Sequence, residues 1–205
     1  MGAGSWEMQA MSRKQDIIDA ATELFSQQGY HATSTHQVAK LAEVSEGIIF
    51  YYFKTKEDIL LEIFYDTFDT FLESFEQAIN EAPTGLEALR AWVGLHFEAI
   101  SSRAKSTLLL VRDFPANLVD EGSPHRKAIL QRADRLHQYL TTALTRGMVD
   151  GSVGPCDLET TALVIRGLLI GATRLALLEY PHNPKFPEAV WEFCRRALIP
   201  NPSPI

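Results

Sequence analysis

Proline is missing from the first 82 residues: all ten prolines lie at or after Pro83, and between Ser5 and Ala82 the only glycines are Gly29 and Gly47. A stretch so poor in backbone breakers favours helices. Cysteine is scarce too. Cys156 and Cys194 are far apart and form no C-x-x-C pair, which excludes a disulfide framework and a cysteine zinc site and suits two free thiols in a reducing cytoplasm. Period-two alternation is absent, so no sheet is expected. No internal repeat or low-complexity tract stands out. Residues 1–10 have neither a basic start nor an apolar core, so a signal peptide is not expected there. The longest apolar stretch, 163–178, carries Arg166 and Arg174 and is too short and too charged for a comfortable membrane span.

Positive charge is the last deficit. The 205 residues carry a formal net charge of −7, which argues against a broadly basic nucleic-acid coat but leaves room for a small local face. Catalytic and cofactor signatures are also missing. There is no G-x-S-x-G, phosphate loop or dinucleotide fingerprint. His96, His125, His137 and His182 are scattered without a metal-ligand spacing. Nothing here calls for an enzyme, a cofactor or a metal. With 46% hydrophobic and 22% charged residues, the chain is an ordinary globular one, long enough to build its core without staples.

What is present is helical spacing. Ser12 followed by Gln15 reads as a capping box opening a first helix, after a flexible leader at 1–11. Ile17, Ile18, Ala21, Leu24 and Phe25 form its apolar face, and Gly29 ends it. Two very short helices follow, at about 35–42 and 46–52. Ser34 or Thr35 can cap the first and Ser45 the second. Glu43, Val44 and Ser45 alone separate them, and two short helices so joined make a helix-turn-helix. Ala39 is small where the helices cross, and Val38, Val44 and Ile49 fall where contacts must be buried. Thr55 then caps a helix running to about residue 80, roughly 37 Å long. Further helices are expected at about 86–103, 106–117, 124–150, 157–180 and 187–198. Pro124 and Pro187 suit first turns and Asp157 suits a cap. The predicted fold class is therefore all-α. A three-helix domain carrying the helix-turn-helix (12–55) joins a larger helical domain (56–200), with a short tail at 201–205.

The segments 17–25 (IIDAATELF), 29–34 (GYHATS), 38–47 (VAKLAEVSEG) and 51–58 (YYFKTKED) resemble, in order and spacing, the DNA-binding domain of the TetR family of bacterial transcriptional regulators. The similarity covers about 45 residues. Beyond it, the chain matches the family only in its helical layout. The resemblance implies a homodimer in which the helix from Glu46 enters the major groove, with half-sites about 34 Å apart. It places Glu46, Gly47 and Ile48 at base edges. Thr35, His36, Tyr51, Tyr52 and Lys56 fall at sugar and phosphate, a suitable set of hydroxyls and a cation. Four residues depart from the common pattern. Glu43 replaces a frequent glycine at a turn where positive φ would cost a side chain about 1 kcal/mol or more. Glu46 replaces a cation or neutral residue and is able to accept from a cytosine amino group. Ile48 (commonly threonine) leaves only apolar contact, and Phe50 (commonly tyrosine) loses a hydroxyl. Residues 1–60 carry five cations against eight anions, so few phosphate contacts and a modest salt dependence are expected.

For the rest of the chain, Trp92, His96, Phe97, Leu110, Phe114 and Tyr139 are core residues by spacing that would also line an effector cavity. Arg166 reads as an interhelical or interface ion pair, or as the anchor of an anionic ligand. Gly167, Gly171, Leu175 and Trp191 are assigned to a dimer interface on the last two helices, with the glycines at a close crossing. The stretches 108–117 and 140–153, with Arg146-Gly147-Met148-Val149-Asp150-Gly151, are similar to the acyl-CoA-responsive group within the family. The resemblance thus implies a cytoplasmic repressor that a small apolar or amphipathic effector releases from a palindromic operator. The competing reading is a helical small-molecule-binding protein with a vestigial helix-turn-helix, supported by Glu43, Glu46 and the acidic first 60 residues.

Overall fold

The computed structural model describes the backbone of residues 3–112, 116–178 and 183–200, with side chains from residue 11 onward except at 116 and 117. Among these residues there are nine α-helices, a 3₁₀ turn at Ala116–Val119, and no strand. The helices are α1 (Ala3–Gln28), α2 (Thr35–Leu41), α3 (Glu46–Tyr52), α4 (Lys56–Glu81), α5 (Gly85–Ser102), α6 (Ala104–Arg112), α7 (Arg126–Asp150), α8 (Leu158–Leu178) and α9 (Phe186–Leu198). They divide between two compact units. The first holds Met1–Thr67 with Lys105–Phe114, and the second holds Phe68–Ala104 with Pro115–Ile205.

Two expectations about helix ends need correction. First, α1 starts at Ala3 rather than Ser12, so helix replaces most of the expected leader. No proline interrupts residues 3–28, and Gln15 spends its amide on Asp19 one turn ahead rather than on a cap. The capping box sits instead at Ser34: its hydroxyl accepts from the Gln37 N–H, and the Gln37 side chain accepts from the Ser34 N–H. Second, α6 stops at Arg112 instead of continuing to 117. Thr55 does cap α4, through reciprocal bonds with Asp58.

In the first unit α1, α2 and α3 pack around Ile17, Ala21, Phe25, Val38, Ala39, Ile49 and Phe53, all buried. α6 grips α1 from the same unit. Lys105 pairs with Glu23, and the Arg112 guanidinium donates to the Phe25 and Ser26 carbonyls at the end of α1, at 2.8 and 3.2 Å. These carbonyls lie in the last turn of α1, where a cation complements the helix dipole.

The second unit has a core drawn from α4, α5, α7, α8 and α9, including Phe75, Leu89, Trp92, Leu140, Leu144, Ile165, Leu169 and Trp191. Its tightest crossing lies between α5 and α7. A Cβ on Gly85 would fall 2.0 Å from the Gly147 nitrogen, so only glycine fits. The Arg146–Gly151 stretch fastens this joint. Arg146 donates to the Ile79 carbonyl (2.8 Å), and it also donates to that of Ala82. Asp150 accepts from the Gly85 N–H and the Ser152 hydroxyl from the Leu86 N–H, capping the start of α5. Gly151 ends α7 in the left-handed region, at φ 78°.

Candidate functional site

The helix-turn-helix is assembled with its short helices anchored from below. Ile49 is fully buried and Phe53 nearly so, and these two hold α3 against α1 and α2. The opposite side of α3 is left to solvent: Glu46, Gly47, Phe50 and Tyr51 are exposed, with Tyr51 at 80%. Spacing by one, three, four and five residues puts these four on one face. Ile48 and Tyr52 are half-buried at its margins, and Tyr52 meets Tyr51 edge to face at 5.0 Å. A Cβ on Gly47 would touch only the Ser45 hydroxyl, at 3.8 Å, so the position is open to an approaching molecule. Phe50, absent from the predicted contacts, is 52% exposed on this face. Its position four residues after Glu46 was the available signal.

The turn between α2 and α3 carries the strain that the sequence suggested. Glu43 has φ 54°, the only positive φ at a non-glycine among the described residues. Ser45 occupies the cap position of α3, yet its hydroxyl makes no cap bond. Thr35 is half-buried, while His36 and Lys40 are exposed on α2. The His36 Nδ1 lies 2.6 Å from Glu46 Oε1, joining two predicted contact residues to each other. Lys56 has a structural task. Its Nζ donates to the Tyr30 and Thr33 carbonyls, both at 2.7 Å, and sits 4.3 Å from the Tyr30 ring centroid. Burial pushes its pKa down. Two of its three N–H groups are spent on these carbonyls.

In the second unit, Trp92 and His96 do share a surrounding. Trp92 stacks on Phe75 at 3.9 Å, Phe75 on Phe71 at 5.8 Å, and Phe71 faces the His96 ring at 6.0 Å. Burial pushes the His96 pKa down to about 4, so the ring is neutral at pH 7. The Trp92 Nε1 and Thr173 Oγ1 are buried without a hydrogen-bond partner among the described residues, an uncommon state for core polar atoms. Phe71, Phe75 and Thr173 were missed from sequence. The i, i+4 spacing of the two phenylalanines on α4 was legible, whereas the orphaned hydroxyl was not.

Of the other predicted lining residues, Phe97 and Tyr139 pack against the same core as Trp92. Phe97 packs edge to face on Phe186 (5.8 Å). The Tyr139 hydroxyl donates to Glu76 at 2.8 Å, beside a charged groove of about 810 Å³ lined by Asp69, Glu73, Arg132 and Arg135. Leu110 belongs to the first unit, and Phe114 lies outside the described residues. Arg166 is half-buried on α8 and has no ion-pair partner among the described residues.

α8 has two faces. Ala162, Ile165, Leu169 and Ala172 are buried, while Leu163, Val164, Ile170, Leu175 and Leu178 are exposed. Gly167 and Gly171 lie along the exposed stripe with nothing within 4 Å of an added Cβ, so they make no close crossing inside this chain. Trp191 is corrected from interface to core. It is 6% exposed, and Phe193, two residues on and 66% exposed, takes the outward position on α9. By length and composition alone α8 would pass as a membrane span, with mean hydropathy 1.7. Its buried face, packed in the core of the unit, is that of a helix in a folded helical domain.

An anchored short helix with an exposed mixed face, following a tight turn and a second short helix, defines a helix-turn-helix DNA-binding protein. Residues 17–63 match the family model described as bacterial regulatory proteins, tetR family. The HTH-type transcriptional regulator YhgD of Bacillus subtilis is 33% identical over 162 residues, covering 78% of this chain and 82% of that protein. The fatty acid metabolism regulator protein of the same species is 40% identical over 85 residues, 42% of this chain and 44% of that one. The crystal structure of the B. subtilis regulator FadR in complex with stearoyl-CoA superposes with a TM-score of 0.75 at 26% identity, covering 88% of this chain and 96% of FadR. The chain belongs to the TetR family of bacterial transcriptional regulators.

Proposed function

We propose that this regulator is a cytoplasmic, non-enzymatic repressor that binds a palindromic operator as a homodimer and is released by a long-chain acyl-CoA. The observation that carries the DNA-binding part is the α3 face: Glu46, Gly47, Phe50 and Tyr51 stand free above a fully buried Ile49. A seven-residue helix gains little stability alone, so holding it with this face outward is useful only if something meets it. Base edges would meet Glu46, Gly47 and Ile48. Thr35, His36, Tyr51, Tyr52 and the remaining Lys56 donor would meet the backbone.

Dimerisation is assigned to the exposed stripe of α8, with Leu163, Gly167, Ile170, Gly171 and Leu175, and to Phe193 on α9. A stripe this apolar is a natural interface, and its glycines give a second helix room to approach. The effector is assigned to the aromatic column of Phe71, Phe75, Trp92 and His96, where the unpartnered Trp92 N–H is available as a donor. Half-buried Arg166 supplies an unpaired positive charge for an anionic head. The stearoyl-CoA in the related FadR structure supports this ligand class. Release requires the acyl-CoA to bind the DNA-incompetent state more tightly than the DNA-bound one.

A gel shift with the intergenic DNA flanking the gene tests this reading. The expected result is a salt-sensitive complex that stearoyl-CoA dissolves and free coenzyme A does not. No salt-sensitive complex with that DNA would overturn the repressor reading in favour of a carrier with a vestigial helix-turn-helix. A complex indifferent to acyl-CoAs of every chain length would overturn the effector alone.

A further inference from the structure

Glu46 is an awkward residue to place against DNA, because a free carboxylate at that position faces a wall of phosphate charge. Three observations show how the chain deals with it. The His36 Nδ1 lies 2.6 Å from Glu46 Oε1, bridging α2 to the first turn of α3. The pair stands in the open, with side chains 74% and 44% exposed. Ser45, which would ordinarily fix the start of α3 through its hydroxyl, makes no side-chain cap bond. An exposed pair of this kind contributes little to stability, so fold maintenance does not explain it. What it does fix is the position of a flexible carboxylate. With Oε1 accepting from His36, Oε2 has no partner among the described residues.

Building on the proposed DNA-binding function, we propose that His36 is the positioning residue of a two-residue reading unit. It holds Glu46 so that Oε2 accepts a hydrogen bond from a cytosine N4 amino group in the major groove. The chemistry favours that base: a carboxylate only accepts, guanine (N7, O6) and thymine (O4) also only accept, and adenine sets its N6 amino donor beside the N7 acceptor, which repels the carboxylate. Orientation matters because glutamate has three side-chain torsions to settle before it reads anything. The neighbouring positions cooperate. Gly47 places no side chain beside the carboxylate, and a Cβ there would meet only Ser45 Oγ, so the base edge has room to approach.

The test is selection from a library of fully randomised duplex DNA with the full-length protein, read as base frequencies at each operator position. For the wild type, one position in each half-site is expected to favour cytosine by about tenfold. Glu46→Ala should flatten that position. His36→Ala should flatten the same position and leave the others unchanged. His36→Asn, whose amide N–H takes the place of the Nδ1 donor, should recover most of the preference. Retention of the cytosine preference by His36→Ala would overturn the proposal. So would loss of preference at a different position from the one Glu46→Ala affects, or failure of asparagine to restore it. Enrichment of no sequence by the wild type would contradict the DNA-binding function itself, and is distinguishable from those results.

Discussion

Two stretches of this molecule turn large apolar side chains to solvent. On α3, Phe50 and Tyr51 are exposed beside a carboxylate and a glycine, and the helix is only seven residues long. On α8, Leu163, Val164, Ile170 and Leu178, 40–62% exposed, form an aliphatic stripe along 21 residues that is broken by the exposed Arg174. The first face mixes rings, a carboxylate and a histidine, and suits a wet, polar surface such as a duplex groove. The second is aliphatic apart from that one cation, and suits a dry surface like itself. Exposure of apolar groups alone does not tell these uses apart; the polar residues interleaved with them do.

The comparison is broken most severely by charging the aliphatic stripe. Ile170→Glu should dissociate the dimer by about 3 kcal/mol or more, roughly a hundredfold in dimer dissociation constant, because it places an unpaired carboxylate in a dry interface. Sedimentation velocity should show a folded monomer at micromolar concentration. The same substitution on the α3 face, at Phe50, should leave the mass of the dimer unchanged.

The two glycine pairs sharpen the contrast. Gly85→Ala should destabilise folding by about 3 kcal/mol, since its Cβ would lie 2.0 Å from the Gly147 backbone. Gly171→Ala, with open space at its Cβ, should leave the denaturation midpoint of the monomeric Ile170→Glu background within about 0.5 kcal/mol. Equilibrium unfolding in urea measures both.

Acid probes the unit that carries α8 without touching its stripe. Burial holds the folded pKa of His96 near 4, against 6.5 for the free side chain. The unfolded chain therefore binds the proton more readily, and stability is complete above about pH 6.5 and falls as pH drops toward 4, by as much as about 3 kcal/mol. Urea midpoints measured across that range should fall for the wild type and stay nearly flat for His96→Gln.

Tyr51→Ala should cost operator affinity about 1 kcal/mol, near fivefold, with no change in dimer mass or melting temperature. Glu43→Gly is the smallest effect. Relieving a left-handed side chain is worth about 1–2 kcal/mol, and the added freedom of the unfolded glycine takes back about 0.4–1, leaving a gain of about 0.5–1 kcal/mol. A thermal melt should move upward by a few degrees, without loss of DNA binding.

The two faces were unequally legible in the sequence. The α2–turn–α3 unit could be read almost residue by residue, because its signals are local: a cap at Ser34, three residues of turn, and a buried Ile49 one turn into the next helix. The strain at Glu43 was also legible, from the side chain that stands where glycine is common. The pairing of His36 with Glu46 was not, since it depends on how two helices cross. In the larger unit, composition marked α8 as apolar but could not say which small residues touch. Gly167 and Gly171 were read as a crossing between two copies, whereas the close crossing inside the second unit is made by Gly85 and Gly147, 62 positions apart in a chain with no period to connect them. Trp191 looked like an interface aromatic and is buried, because α9 turns its next-but-one neighbour Phe193 outward. Local capping chemistry is written in short windows, whereas contacts between distant helices are not.

Hydroxyl-radical footprinting of the full-length protein on the intergenic DNA beside its gene tests the central claim most directly. If α3 reads DNA and α8 pairs two copies, protection will fall on an inverted repeat, at two stretches on one side of the duplex whose centres lie about 34 Å apart, one helical turn. Protection of a single unrepeated half-site, or of no site at all, would contradict it.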